Sequence, residues 1–308
     1  MNLVWRTQAV ILIITLFISQ LAVGQKPRIS FSFDDGSTAD FPGYQLEEWN
    51  GMILKALDKH HIKSVLFVAG KRMNNPQGKR VLKSWDEANH KIGNHTWTHP
   101  YFPSEKVSLA DFEKELLKTD SLINGYSNYY KYFRFPYLKE GNTLEKRDGM
   151  REFLAENGYK NGHVSVDASD WYIFGELLKN LKENSDLNIK PYRDYYLEHI
   201  YDRAQFYDSL GTALTGRNID HVLLLHHNLT SALFLDDLIN HFKVNGWEVI
   251  DTELAYKDPF YSRIPSVLPA GESLIWSEAK STGKYESILR YPAEGSEYES
   301  EKMKALGL

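Results

Sequence analysis

No cysteine occurs in the 308 residues, so any metal held by this chain must sit on imidazoles and carboxylates, and there is no thiolate nucleophile or disulfide framework. Two histidines stand four apart in Asn94-His95-Thr96-Trp97-Thr98-His99-Pro100. One helical turn would put both rings on one side, but Pro100 biases His99 out of the helical region, which predicts a tight loop. Eleven histidines in a chain of this length make a spacing of four common by chance. A catalytic zinc site needs three protein ligands and an open position, so a carboxylate must join the pair. Asp34-Asp35-Gly36 offers two.

The elements that must position these residues can be read from periodicity. Ile29, Phe31 and Phe33 alternate with Ser30 and Ser32, a strand that delivers both aspartates to a loop. Trp49, Met52, Ile53, Ala56 and Leu57 mark an amphipathic helix, and residues 64–68 a buried strand. The alternation continues: a helix over Val81 to Ala88, a strand into Asn94, a helix capped by Ser108 and a strand over Tyr130–Phe135. A helix near 148–157, a strand over His163–Asp167, a strand over His221–Leu225, a helix over Leu233 to Phe242 and a strand over Trp247–Ile250 complete it. Seven strands alternating with helices predict a parallel sheet, most simply an incomplete α/β barrel, with its chemistry at the carboxyl ends of the strands. Asp34 and Asp35 follow strand one, the histidine pair strand three, Arg134 strand four, Asp167 strand five and His226 strand six. Taken singly these residues read as a turn, a surface ion pair and a core histidine; together they fall on one face.

Residues 9–18 form an apolar run broken by Thr15, preceded by Arg6 and followed by Ala22-Val23-Gly24, which predicts a signal peptide over 1–24 and an exported chain without a membrane anchor. A single domain is expected over 25–256, with a tyrosine-rich helical insertion on the rim at 172–217 and a proline-bearing C-terminal extension at 257–308 that wraps it. Hydrophobic residues at 42% and charged residues at 25% exclude a disordered chain, and a net charge of −5 gives no reason to expect nucleic acid.

The sequence resembles the polysaccharide deacetylases of the NodB-homology type, carbohydrate esterase family 4. Ser32-Phe33-Asp34-Asp35-Gly36 is similar to that family's first motif, His95 to His99 to its second and Arg134-Phe135-Pro136-Tyr137 to its third. Asp167-Ala168-Ser169-Asp170-Trp171 is similar to the fourth and Leu224-Leu225-His226 to the fifth. The resemblance spans about residues 28–254 and implies a distorted (β/α)7 barrel and metal-dependent removal of acetyl groups from polysaccharide.

Carried over, it makes Asp35, His95 and His99 the ligands of a divalent metal, zinc by default, and Asp34 the general base. Arg134 would pair with Asp34. His226 would be the general acid, oriented by Asp170, with Asp167 the weaker candidate for that partner. Tyr137 would lend its backbone N–H to the oxyanion, while Trp171 and Leu224 would wall an acetyl pocket. The sequence departs from the family at His227, where an aspartate is frequent, and in the insertion and the extension. The expected substrate is an acetylated polysaccharide: first an N-acetylglucosamine-containing glycan, peptidoglycan or chitin-like, with O-acetylated xylan as the alternative ester substrate. A catalytically inactive carbohydrate-binding protein on the same fold is the rival of another class.

Overall fold

Along the first strand, β1 (Arg28–Asp35), the two faces have different fates. Ile29, Phe31 and Phe33 are buried against the surrounding helices, whereas Ser30 and Ser32 point inward, their hydroxyls donating to the carbonyls of His221 and Leu223 at 3.0 Å. The computed structural model describes residues 26–289 and 295–308, so the leader expected at 1–24 lies outside the described residues. The other strands are β2 (Val65–Val68), β3 (Lys91–Asn94), β4 (Tyr129–Phe133), β5 (Lys139–Gly141), β6 (Lys160–Asn161), β7 (Asp220–His226), β8 (Glu248–Val249) and β9 (Ala270–Gly271). The helices are α1 (Leu46–Lys59), α2 (Gly70–Met73), α3 (Pro76–Glu87), α4 (Leu109–Ile123), α5 (Leu144–Glu156), α6 (Asp170–Glu183), α7 (Lys190–Thr215), α8 (Leu229–Val244), α9 (Thr252–Ala255), α10 (Leu274–Thr282) and α11 (Glu297–Leu306).

Seven strands pair in parallel in the order β6-β4-β3-β2-β1-β7, with β8 beside the start of β1. The sheet curls, and residues 160–166 bridge its ends. Lys160 and Asn161 pair with β4, and a few residues on Val166 bridges Leu223 of β7. The result is the expected distorted (β/α)7 barrel. Its fifth strand lies at Lys160–Asn161, ahead of the expected His163–Asp167, and within that expected range Val166 alone pairs, in a single bridge to Leu223, because the segment leaves one neighbour before it reaches the other. Similarly, β4 ends at Phe133, ahead of a 3-10 turn at Pro136–Leu138, so Arg134 lies just past the strand.

The barrel interior is filled by alternate side chains, Val65 and Phe67 of β2, Val222 and Leu224 of β7, and Val164. Phe67 fits only because Gly93 and Gly162 flank it: a Cβ at either would stand within 2.7 Å of its ring. The same inward phase that carries Ser30 and Ser32 ends on Asp34, and that of Val222 and Leu224 ends on His226; the two pair in register. Outside, α6 and α7 bury Ile173, Leu177, Tyr192, Tyr196 and Tyr207 in the main core. Residues 270–271 pair antiparallel with β5, directly after the turn that carries Tyr137, and α10 packs on α7.

Candidate active site

The carboxyl end of the barrel opens into a cavity of about 440 Å3. Of the eleven residues singled out in the sequence, Asp34, Asp35, His95, His99, Tyr137, Asp167, Trp171, Leu224 and His226 border it. The remaining two, Arg134 and Asp170, are fully buried behind it, in contact with Asp34 and His226 respectively.

Adjacent aspartates take different positions because the chain leaves β1 in the left-handed region, with φ of 77° at Asp35. Asp34 stays in the barrel, 2% exposed. Its Oδ1 accepts from Arg134 Nη1 at 2.6 Å, and burial pushes its carboxyl above the ordinary value while the Arg134 charge works against that rise. Arg134 is itself fixed by bonds from Nε to the Gly162 carbonyl and from Nη2 to the Tyr256 hydroxyl, and its guanidinium lies 4.0 Å over the Phe67 ring.

The loop after β3 presents both imidazoles. His95 Nδ1–H donates to the Arg134 carbonyl at 2.8 Å, which leaves Nε2 as the lone-pair atom, 3.9 Å from Asp35 Oδ1. His99 Nε2 stands 3.4 Å from the same oxygen. Burial lowers both imidazoles to about 4, so they are neutral at physiological pH. One atom from each of Asp35, His95 and His99 lies within 4.8 Å of the others, and the Asp35 Oδ1 is buried with no hydrogen-bond partner. Three ligand atoms converging on one point, the His95 lone pair and the unpartnered Asp35 oxygen among them, fit a divalent cation held by two imidazoles and a carboxylate.

On the opposite side, Asp170 begins α6 and binds His226, drawing Nδ1 to within 2.7 Å of its Oδ1. Burial alone would lower this imidazole; Asp170 foremost, with Asp35 and Asp34, raises it instead to about 9. The exposed rings of Tyr137 and Trp171, 48% and 37% accessible, stand at the rim, and Tyr101 meets Tyr137 edge-on at 5.6 Å.

Sequence reasoning missed two residues. Arg72, two residues into α2, pairs with Asp35 Oδ2 at 2.7 Å and borders the cavity. Glu115 of α4 accepts from the backbone N–H groups of Trp97 and Thr98 and from the Thr98 hydroxyl, so it grips the loop between the two histidines. For Arg72 the only signal is its place shortly after a strand end; for Glu115, within a solvated helix pattern, there is none.

Residues 22–161 match the polysaccharide deacetylase family. A peptidoglycan-N-acetylglucosamine deacetylase of Bacillus cereus is 29% identical over 147 residues, 47% of this chain and 47% of that one. One from Listeria monocytogenes is 28% identical over 146 residues, 47% of this chain and 27% of that one. The chain thus spans less than half the length of these curated relatives. Among solved structures, a carbohydrate esterase family 4 pseudoenzyme from Bacillus anthracis superposes with a TM-score of 0.53 at 19% identity, covering 75% of this chain and 66% of that one. A peptidoglycan N-acetylglucosamine deacetylase bound to a naphthalenyl hydroxybenzamide superposes with a TM-score of 0.51 at 21% identity, covering 76% of this chain and 89% of that one. These structures share the fold.

Proposed function

We propose, from the match of residues 22–161 to the polysaccharide deacetylase family, that this chain is an exported, metal-dependent hydrolase that removes N-acetyl groups from an N-acetylglucosamine-containing glycan. The fold alone does not carry the activity, since a structural neighbour is described as a pseudoenzyme. The carrying observation is that a buried carboxylate, a charged imidazole and a converging Asp35-His95-His99 set whose Asp35 oxygen lacks a hydrogen-bond partner border one cavity.

In this reading Asp34 takes the proton from the attacking water as its oxygen bonds to the acyl carbon, and Arg134 holds the carboxylate in place. The Tyr137 backbone N–H donates to the acyl oxygen as negative charge develops there. As the C–N bond breaks, His226 gives its proton to the leaving nitrogen, and acetate and a free amine result. Trp171 and Leu224 wall the methyl group. Asp35, His95 and His99 would hold the cation, zinc first, which supplies Lewis acidity toward the acyl oxygen and eases ionisation of water. The named activities of the B. cereus and L. monocytogenes relatives support peptidoglycan among the glycans to test.

Acetate release from N-acetylglucosamine oligomers, peptidoglycan and acetylated xylan, with and without chelator, tests this. Asp34→Asn and His226→Ala are each expected to lose roughly 100-fold to 10,000-fold in rate while keeping metal and fold. Near-wild-type turnover by Asp34→Asn with metal bound would remove the base assignment, and no acetate from any substrate would leave a binding protein. N-terminal sequencing that finds an intact Met1 on secreted material would overturn cleavage after residue 24.

A further inference from the structure

A second cavity, of about 370 Å3, adjoins the catalytic one, and Asp35, Arg72, Trp171 and His226 form their common wall. Its far side is apolar: Phe41 from the loop after β1, and Phe174 with Leu178 one turn on along α6. The polar side offers donors. Arg72 commits one Nη to Asp35 Oδ2 and keeps 46% of its side chain exposed. Asn228 also borders this cavity. Its Oδ1 caps α8, accepting from the Thr230 hydroxyl at 2.7 Å and the Ser231 N–H at 3.1 Å. That fixes the amide orientation and leaves Nδ2 buried without an acceptor. A buried donor without an acceptor is an uncompensated desolvation, so Asn228 is a place where an added acceptor would be favourable. Among the described residues the only carboxylate bordering this cavity, Asp35, faces the histidines through one oxygen and Arg72 through the other.

A guanidinium and an amide donor opposite an apolar wall suit a planar anion on a short carbon stem, for which a carboxylate is the natural match. The shared wall holds this group next to the sugar whose acetyl lies at His226. Resting on the deacetylase reading, we propose that this cavity is a subsite for a carboxylate-bearing substituent of an acidic N-acetylated glycan. The carboxylate pairs with Arg72 and accepts from Asn228 Nδ2, and its stem lies against Phe41, Phe174 and Leu178. Such a subsite separates acidic glycans from neutral, chitin-like ones.

The test compares kcat/KM for four oligomers: neutral N-acetylglucosamine oligomers; glycan-strand oligomers in which alternate sugars carry a lactyl ether carboxylate; the same strands with that carboxylate amidated; and oligomers alternating N-acetylglucosamine with a uronic acid. The wild type is expected to prefer the lactyl carboxylate over its amide by about tenfold. Arg72→Met and the cavity-filling Leu178→Trp should each bring that ratio close to one, and Arg72→Lys should keep part of it. The ratio is read rather than the rate, with metal content measured alongside, because Arg72 also touches Asp35. A uronate preference that Arg72→Met abolishes supports the carboxylate subsite and assigns the acid to the ring rather than to a stem. Equal rates on free and amidated strands, with uronate oligomers no better than neutral ones, overturn the inference and leave the deacetylase reading standing. So does an equal loss on all four substrates in both variants. No acetate from any oligomer overturns the deacetylase reading and the subsite with it.

Discussion

Asp170 holds His226 at two points, its Oδ1 accepting from the imidazole Nδ1–H at 2.7 Å and its Oδ2 from the His226 backbone N–H at 2.8 Å. The two contacts tie the start of α6 to the end of β7 and fix the tautomer, leaving Nε2 for the cavity. Because the imidazolium persists to about 9, the acid form is present through neutrality and is lost as pH rises past that value. The alkaline limb of kcat/KM is therefore expected near pH 9. Asp170→Asn removes the principal charge that raises the imidazole and should move that limb acidward by about one to three units. A pH–rate profile with an unshifted limb would remove Asp170 from control of the acid.

Glu115 gives a second expectation, on metal affinity. The loop it grips holds Thr96 and His99 at φ of 66° and 59°, a conformation non-glycine residues rarely keep without support. Thr119 adds a bond from its hydroxyl to the Thr96 carbonyl at 2.7 Å. Glu115→Ala frees the two amides between the ligands and should weaken zinc binding about 10-fold to 100-fold in competition with a chromogenic chelator, while the far-UV spectrum stays unchanged. An affinity equal to wild type would mean that the loop holds its own shape.

The contrast between these residues and Asp34 shows what a linear pattern can carry. The phase of Ser30, Ser32 and Asp34 is local: alternation decides that Asp34 faces inward once residues 28–33 form a strand. Arg72, Glu115 and Asn228 act across contacts between elements, and their spacing within α2, α4 and the α8 cap says nothing of what folds against them. The helix expected near 148–157 begins earlier, at Leu144, because Thr143 caps it by accepting from the Lys146 N–H, and no glutamate stands at the third position to announce the cap. Asp167 and Asp170 are the same residue type three apart. Only the position of Asp170 at the start of α6 brings both of its oxygens onto His226.

Stability of the C-terminal helix rests on Glu299, which is fully buried and accepts from Arg203 Nη2 at 3.0 Å, with His199 Nε2 3.3 Å away. Arg203 is equally buried on α7. Glu299→Ala leaves that guanidinium without its carboxylate and should cost about 3–5 kcal/mol in urea unfolding. Replacing both partners, Arg203→Met with Glu299→Leu, should recover most of the loss. A single-variant cost below about 1 kcal/mol would show that the pair is not what fastens α11 to α7.

Acid stability follows from His227, which lies directly after the imidazole held by Asp170. His227 Nδ1 accepts from the Ser37 N–H at 3.0 Å, its Nε2–H donates to Asn50 Oδ1 at 3.0 Å, and its ring centre lies 4.6 Å from that of Trp49. The first contact requires a neutral ring, and burial pushes the imidazole down to about 3. An unfolded chain takes up this proton near 6.5, so between about 6.5 and 3 the unfolded state binds more protons than the native one. Stability from this residue is thus complete above about 6.5 and declines as pH falls, by about 3 kcal/mol at pH 4. His227→Asn keeps an acceptor for Ser37 and cannot titrate. It should be less stable than wild type at neutral pH yet lose less on acidification, so that the two urea midpoints converge between pH 6.5 and 4. Parallel midpoints across that range would show that the proton is taken up elsewhere.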